Sequence, residues 1–227
     1  LEQRLRACNI PPRYAAGTPL LRSAPFRLLE AVADYRDDLS FPGLAALVRH
    51  PDAARLIGTD SEASSHIEPV DIADQYFNDH LPHRLKGELP RARKPESHLP
   101  GIVAAAERAG PLAALKGHKQ LSEWMPLIAD MLLVAYGDRE WDRSVPAHRD
   151  LIHVLGQISD VASLLATLPG PLDEECSSGA AIRTLLLTLR GKAIPPGSSA
   201  DAVELLDWLE IPLDDAPVVV LTGFNEH

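Results

Sequence analysis

Between Leu121 and Leu189 apolar side chains recur at helical spacing in three successive blocks, and this repetition constrains the fold more than any other feature. Leu121, Trp124, Ile128, Met131, Leu132 and Ala135 form the first stripe, ended by Gly137. Leu151, Val154, Leu155, Ile158, Val161, Ala162 and Leu165 form a longer one, in a helix that begins near Pro146 and ends at Pro169-Gly170. Ile182, Leu185, Leu186 and Leu189 form the third, closed by Gly191. Stripes of this width must be buried, so the three blocks predict helices packed on one another.

Upstream the same logic is weaker but present. Ser23 and Pro25 offer helix-start chemistry before Phe26, Leu29, Val32 and Ala33, and Ser40-Phe41-Pro42 does the same before Leu44, Leu47 and Val48. Val70, Ala73, Phe77 and Leu81 allow a further helix, as do Ile102, Ala105, Ala106 and Ala109, whereas 59–65 and 87–100 carry the proline and charge that break long elements. With 45% hydrophobic residues in 227, the chain can bury a real core. Its longest apolar runs, Met131–Ala135 and Val218–Leu221, are far shorter than the ~20 residues a membrane helix needs. No leader pattern follows Leu1, and Cys8 and Cys176 have no CxxC spacing, so the expectation is a soluble, reduced, cytoplasmic chain without a membrane partner.

Near the end the period changes. Pro217-Val218-Val219-Val220-Leu221-Thr222 is a β-branched run bounded by turn residues, which predicts a strand covered on both faces in a parallel sheet. Such a strand needs neighbours, and the other extended candidates are Arg13–Ala16 and Val203–Trp208. The predicted fold is therefore mainly α with a small α/β part, a parallel-sheet remnant built from both chain ends and carrying a large helical insertion. Residues 1–58 and 200–227 are assigned to the α/β part, and 59–199, closing on the linker after Ile194, to the insertion.

Catalytic patterns are missing. His148-Arg149-Asp150-Leu151 has the letters of a kinase loop but Leu155 where asparagine must hold magnesium, and reads as a polar first turn of a helix. His66, Asp74, Asp79, His80 and His83 lie near one another without the spacing that fixes ligands on one helix face. No phosphate loop, GxSxG or GxGxxG occurs, so no catalytic, cofactor or metal residue is assigned, and neither ATP hydrolysis nor nucleophilic hydrolysis is expected of this chain alone. A net charge of -10 weighs against nucleic-acid binding by this unit acting alone, although Arg4, Arg6, Arg13 and Arg22, or Arg91, Arg93 and Lys94, form local basic groups.

Three stretches in order carry a resemblance. Asn9-Ile10-Pro11-Pro12-Arg13-Tyr14-Ala15-Ala16-Gly17, followed by Pro25 to Tyr35, resembles the start of the second motor domain of UvrD-type superfamily 1 helicases. Ser40 to Asp52 resembles the element that follows there, and Leu206-Asp207-Trp208-Leu209-Glu210 with Val218 to Glu226 resembles the motif-V region. The form of that last stretch is most similar to the AddB/RecC-like members of ATP-dependent helicase-nucleases, the group with an inactivated helicase core, and to PD-(D/E)XK relatives. The match covers about the first quarter and last tenth of the chain, and no Lys-Gly precedes Leu209-Glu210.

The resemblance implies a P-loop NTPase-like motor fold interrupted by a helical subdomain, and a role in DNA repair and recombination. It implies DNA contact at Arg13, Tyr14, Arg49 and His50, and motif-V-like positions at Leu209, Glu210, Gly223, Asn225 and Glu226. The partners it implies are DNA, through a longer parent protein, and a motor helicase subunit. The expected function is a non-catalytic scaffold on the DNA path; the alternative is an all-α protein-interaction module with no nucleic-acid role.

Overall fold

The computed structural model describes residues 2–57, 69–80, 111–197, 202–207, 209–213 and 215–222. In chain order the elements are α1 (Glu2–Ala7), β1 (Pro12–Tyr14), β2 (Thr18–Pro19), α2 (Ala24–Asp38), α3 (Phe41–Arg49), α4 (Ala54–Ile57), α5 (Pro69–His80), α6 (Pro111–Ala114), β3 (His118–Gln120), α7 (Leu121–Tyr136), α8 (Pro146–Leu165), β4 (Glu175–Ser177), α9 (Ser178–Leu189), β5 (Ala193–Ile194) and β6 (Val203–Leu205). The fold is mainly α with a small α/β part. It divides into two compact units, residues 1–18 with 193–227 and residues 19–192.

In the first unit the two chain ends meet as a parallel pair. Pro12, Arg13 and Tyr14 of β1 stand opposite Val203, Glu204 and Leu205 of β6. Val203 N–H donates to Pro11 O at 2.9 Å and Ala15 N–H to Leu205 O at 3.3 Å. The Arg13 guanidinium reaches Glu204 across the pair at 2.8 Å. Gly17 has φ +75°, and a Cβ there would lie 2.2 Å from Ile194 O, so only glycine fits the turn that follows β1.

The strand expected over 217–222 does not form. Residues 217–222 carry no regular secondary structure, and Val218 and Val220 are 76% and 79% exposed. A strand covered on both faces needs a ladder along both edges, and no neighbour pairs with this run among the described residues. The other two candidates supply the parallel pair instead, the first shifted back by one residue to Pro12–Tyr14 and the second shortened to Val203–Leu205.

The second unit holds the predicted helices. α7, α8 and α9 coincide with the three stripes, and Trp124, Ile128, Met131, Ala135, Ile158, Ile182 and Leu185 are buried. α3 starts as its sequence predicts, with Ser40 Oγ accepting from Gly43 N–H at 3.1 Å. α7 starts with a capping box between Gln120 and Glu123, reinforced from afar by Asp173, which accepts from Ser122 N–H at 2.8 Å and Ser122 Oγ–H at 2.6 Å. β3 and β4 pair antiparallel, joining the segments that lead into α7 and α9, and the fully buried Trp124 donates its Nε1–H to Cys176 O at 2.9 Å. Ser178, itself buried, donates to Leu115 O at 2.8 Å.

α2 packs on both α3 and α9, and Arg183 of α9 reaches Asp34 and Asp37 of α2 at 2.8 and 2.7 Å. Residues 19–57 therefore belong with the helices rather than with the chain ends, and the unit boundaries fall at 18/19 and 192/193 instead of 58/59 and 199/200. The physical reason is α2: its apolar face, with Phe26, Leu29, Val32 and Ala33 all buried, is covered by helices of the insertion. The helix expected over Ile102–Ala109, the segments 59–65 and 87–100, and Arg91, Arg93 and Lys94 lie outside the described residues. No helix among the described residues is long and apolar enough to cross a membrane.

Candidate functional site

Arg49 and His50 end α3 where it meets the beginning of α2, and a groove of about 460 Å³ opens there. Its ionisable lining is Arg22, Arg27, Glu30, Asp34, Arg49 and His50. The fold thus brings two of the expected contact residues together with two arginines that lie 22 and more positions earlier in the chain. Arg27 escapes a reading by motif because it sits inside an amphipathic helix, on the face opposite Leu28 and Leu29, and nothing in its neighbours marks it.

The charges in the groove are not equivalent. Arg49 forms an ion pair with Asp74 of α5, and Asp34 is engaged by Arg183. Neither Arg22 nor Arg27 has an acidic partner among the described residues, and both are exposed. Two guanidiniums outside any ion pair and a third in an exposed pair can donate bidentate hydrogen bonds to an oxyanion such as a phosphate, with the Glu30 carboxylate of the same lining opposing them. The lining includes no hydroxyl or thiol.

His50 plays a different part. Its Nε2 lies 3.0 Å from Ala24 O, and its Nδ1 accepts the Asp52 N–H at 3.2 Å. A carbonyl only accepts and an amide N–H only donates, so these two bonds select the neutral ring with the proton on Nε2. Burial is the main effect that holds the imidazole below its ordinary pKa; the Ala24 carbonyl and Asp52 pull the other way, and Arg27 and Arg139 add to the lowering. His50 therefore ties the end of α3 to the start of α2 as an uncharged bridge.

This sets a pH dependence. Below the ordinary histidine value of about 6.5 the unfolded chain takes up the proton first, so the contribution of His50 is complete above that pH and is lost as pH falls towards the depressed folded value. Melting temperature measured from about pH 7.5 to 5.5 should fall further for the natural protein than for His50→Asn, which keeps an acceptor for Asp52 N–H but cannot titrate. Equal falls would show that His50 carries no linked proton.

Beside the groove Asp52 accepts from Tyr136 Oη–H at 2.7 Å and pairs with Arg139, joining the end of α7 to the α3–α4 connection. Burial, then Asp52, pushes the Tyr136 phenol far above its ordinary range, so it stays a donor at any physiological pH.

No family model, curated protein or solved structure matches the chain. What can be said of the other expected positions comes from their placement. Arg13 and Tyr14 lie in the first unit, Arg13 paired with Glu204 and Tyr14 half exposed at 48%. Leu209 is exposed beyond β6, and Glu210 closes a turn by accepting from Asp207 N–H at 2.9 Å. Gly223, Asn225 and Glu226 lie outside the described residues. His148 sits in the first turn of α8, accepting from Asp142 N–H at 3.2 Å with its ring edge-on to Trp141, a local contact. Among the described residues no group of three or more His, Cys, Asp or Glu side chains is placed to hold a metal ion. His66 and His83 lie outside them.

Proposed function

We propose that this chain is a non-catalytic scaffold segment of a helicase-nuclease that processes DNA double-strand breaks, of the AddB/RecC-like type with an inactivated helicase core. Its part is to hold or steer a DNA strand or a partner motor subunit in the cytoplasm. The observation that carries this reading is the parallel pairing of β1 with β6. Of the stretches with the helicase resemblance, Asn9–Gly17 contains β1 and Leu206–Glu210 follows β6 in sequence, and the helices of residues 19–192 lie between them in sequence, the layout that the resemblance implies. The surrounding gene tests the assignment: a phosphate-loop remnant upstream and a carboxylate-lysine nuclease motif downstream are expected, and a gene that encodes neither would remove it.

For DNA the groove of Arg22, Arg27 and Arg49 is the candidate surface, against an overall charge of -10. Three neutralised phosphates on a single strand give a salt slope of about -2, hence roughly a 20-fold loss of affinity between about 50 and 200 mM salt. Labelled single-stranded DNA should bind weakly at low salt and almost not at all at physiological salt. Arg22→Ala, Arg27→Ala and Arg49→Ala should each flatten the slope by about 0.7, and Arg13→Ala, whose charge already faces Glu204, should do less. Binding that ignores salt, or ignores all three groove substitutions, places DNA elsewhere.

The second reading, an all-α protein-interaction module, is favoured by a separate apolar groove between α7 and α8 and by the acidic charge. Loss of nucleic-acid binding at every salt concentration, with protein binding retained, would select it.

A further inference from the structure

We infer that the groove between α7 and α8 is a docking site for the apolar face of a basic amphipathic helix presented by a protein partner. The groove has a volume of about 280 Å³ and is lined mainly by Leu132, Leu133, Tyr136, Trp141, Leu155 and Ile158. Leu133 is 66% exposed on its edge, although it belongs to a helix whose opposite face is fully buried. An open apolar trough between two helices is the shape that receives a third helix through side chains at i, i+3 or i+4, and i+7.

The surrounding charge says which helix. Asp130, exposed on α7, lies on the helix side next to the lining residues Leu133 and Gly137. The connection that closes one end, from Gly137 to Val145, carries Asp138, Glu140 and Asp142 against Arg139 and Arg143. Arg139 is engaged by Asp52 and lies over the Tyr136 ring at 5.1 Å, so it does not neutralise this rim. Asp138 reaches Arg55 at 3.3 Å but stays 87% exposed. The rim is negative around an apolar floor, which steers lysine- and arginine-flanked apolar segments and repels acidic ones. A second copy of this chain, itself at -10, and an anionic membrane surface are both disfavoured by the same charge. The inference names the kind of partner for the protein-interaction reading, which rests on this same groove, and does not depend on the DNA groove of Arg22, Arg27 and Arg49.

The test uses the full chain and two labelled peptides of about 18 residues, each with leucines along one helical face. One carries lysine beside that face and the other glutamate. The lysine peptide should bind with a Kd in the micromolar range, weakening as salt rises, and the glutamate peptide at least about tenfold more weakly. Leu133→Asp should cost the lysine peptide about tenfold or more, while Leu187→Asp on α9, also at an exposed leucine, should leave it unchanged. Both sites are exposed, so melting curves close to those of the natural protein are expected and establish that the variants fold. Equal binding of the two peptides would overturn the charge argument. Binding indifferent to Leu133→Asp, or no binding, would overturn the site. A dimer in sedimentation that Leu133→Asp dissociates would assign the groove to a second copy and overturn the proposed partner.

Discussion

Trp124→Ala lowers the stability of the helical unit by about 3–5 kcal/mol, the range for emptying a large aromatic from a packed core. At about 2–4 °C per kcal/mol for a chain of this size, the melting temperature falls by roughly 6–20 °C. The side chain has 0% exposure, so its whole apolar surface returns to water on unfolding, and truncation leaves a cavity that neighbouring helices fill only in part. It also loses the 2.9 Å bond to Cys176 O, which ties the first turns of α7 to β4 and so to α9. Trp124→Phe separates the two contributions. It keeps most of the burial and removes the bond, and should cost only about 0.5–1.5 kcal/mol beyond the small change in volume. Chemical denaturation at an unchanged m-value measures both variants, and equal losses would mean that the bond rather than the packing dominates at this position.

Trp124 also shows why the helices were legible in the sequence. It falls on the stripe with Leu121 and Ile128, and the stripe alone dictates which side of α7 is buried, whatever covers it. β3 and β4 were not legible for the opposite reason. His118-Lys119-Gln120 and Glu175-Cys176-Ser177 have no alternation and no β-branched residue, and they pair because Asp173 and Trp124 fasten the segments on which they lie. Tertiary contact makes those strands, not local preference. The run Val218–Leu221 errs in the other direction: its β-branched residues favour a strand, but a strand in a sheet is a relation between two segments, and one segment's composition cannot supply the second.

The candidate site divides along the same line. That Arg49 and His50 end a helix is readable from Ser40-Phe41-Pro42 and the spacing of Leu44, Leu47 and Val48. That Arg22 and Arg27 share their groove depends on the turn at Leu39, where φ of 47° reverses the chain so that α3 runs back along α2. Nor does charge counting reveal that His50 is neutral while Arg27 stands without an acidic partner among the described residues. Those assignments follow from which backbone groups the His50 ring meets.

The same reversal makes opposite effects of two identical substitutions the sharpest test of the packing. In an open helix, replacing glycine by alanine stabilises by roughly 0.8–1 kcal/mol, because the backbone loses less freedom on folding. Gly156 of α8 meets that condition, since a Cβ there would touch nothing within 4 Å, and Gly156→Ala should raise stability by about that amount. Gly43 does not. A Cβ there would lie 2.6 Å from Tyr35 N, 2.7 Å from Asp34 C and 2.8 Å from Asp34 O, all backbone atoms of α2. They cannot swing aside as a side-chain end would: Tyr35 is fully buried, and Asp34 is held from α9 by Arg183. Instead α3 must move off α2, loosening the buried contacts of Leu44 and Leu47, and the cost of such overpacking is about 1–3 kcal/mol. Gly43→Ala should therefore melt several degrees below the natural protein and Gly156→Ala above it, with both variants compared in one buffer. A rise in both would mean that α3 does not approach α2 as closely as these distances require.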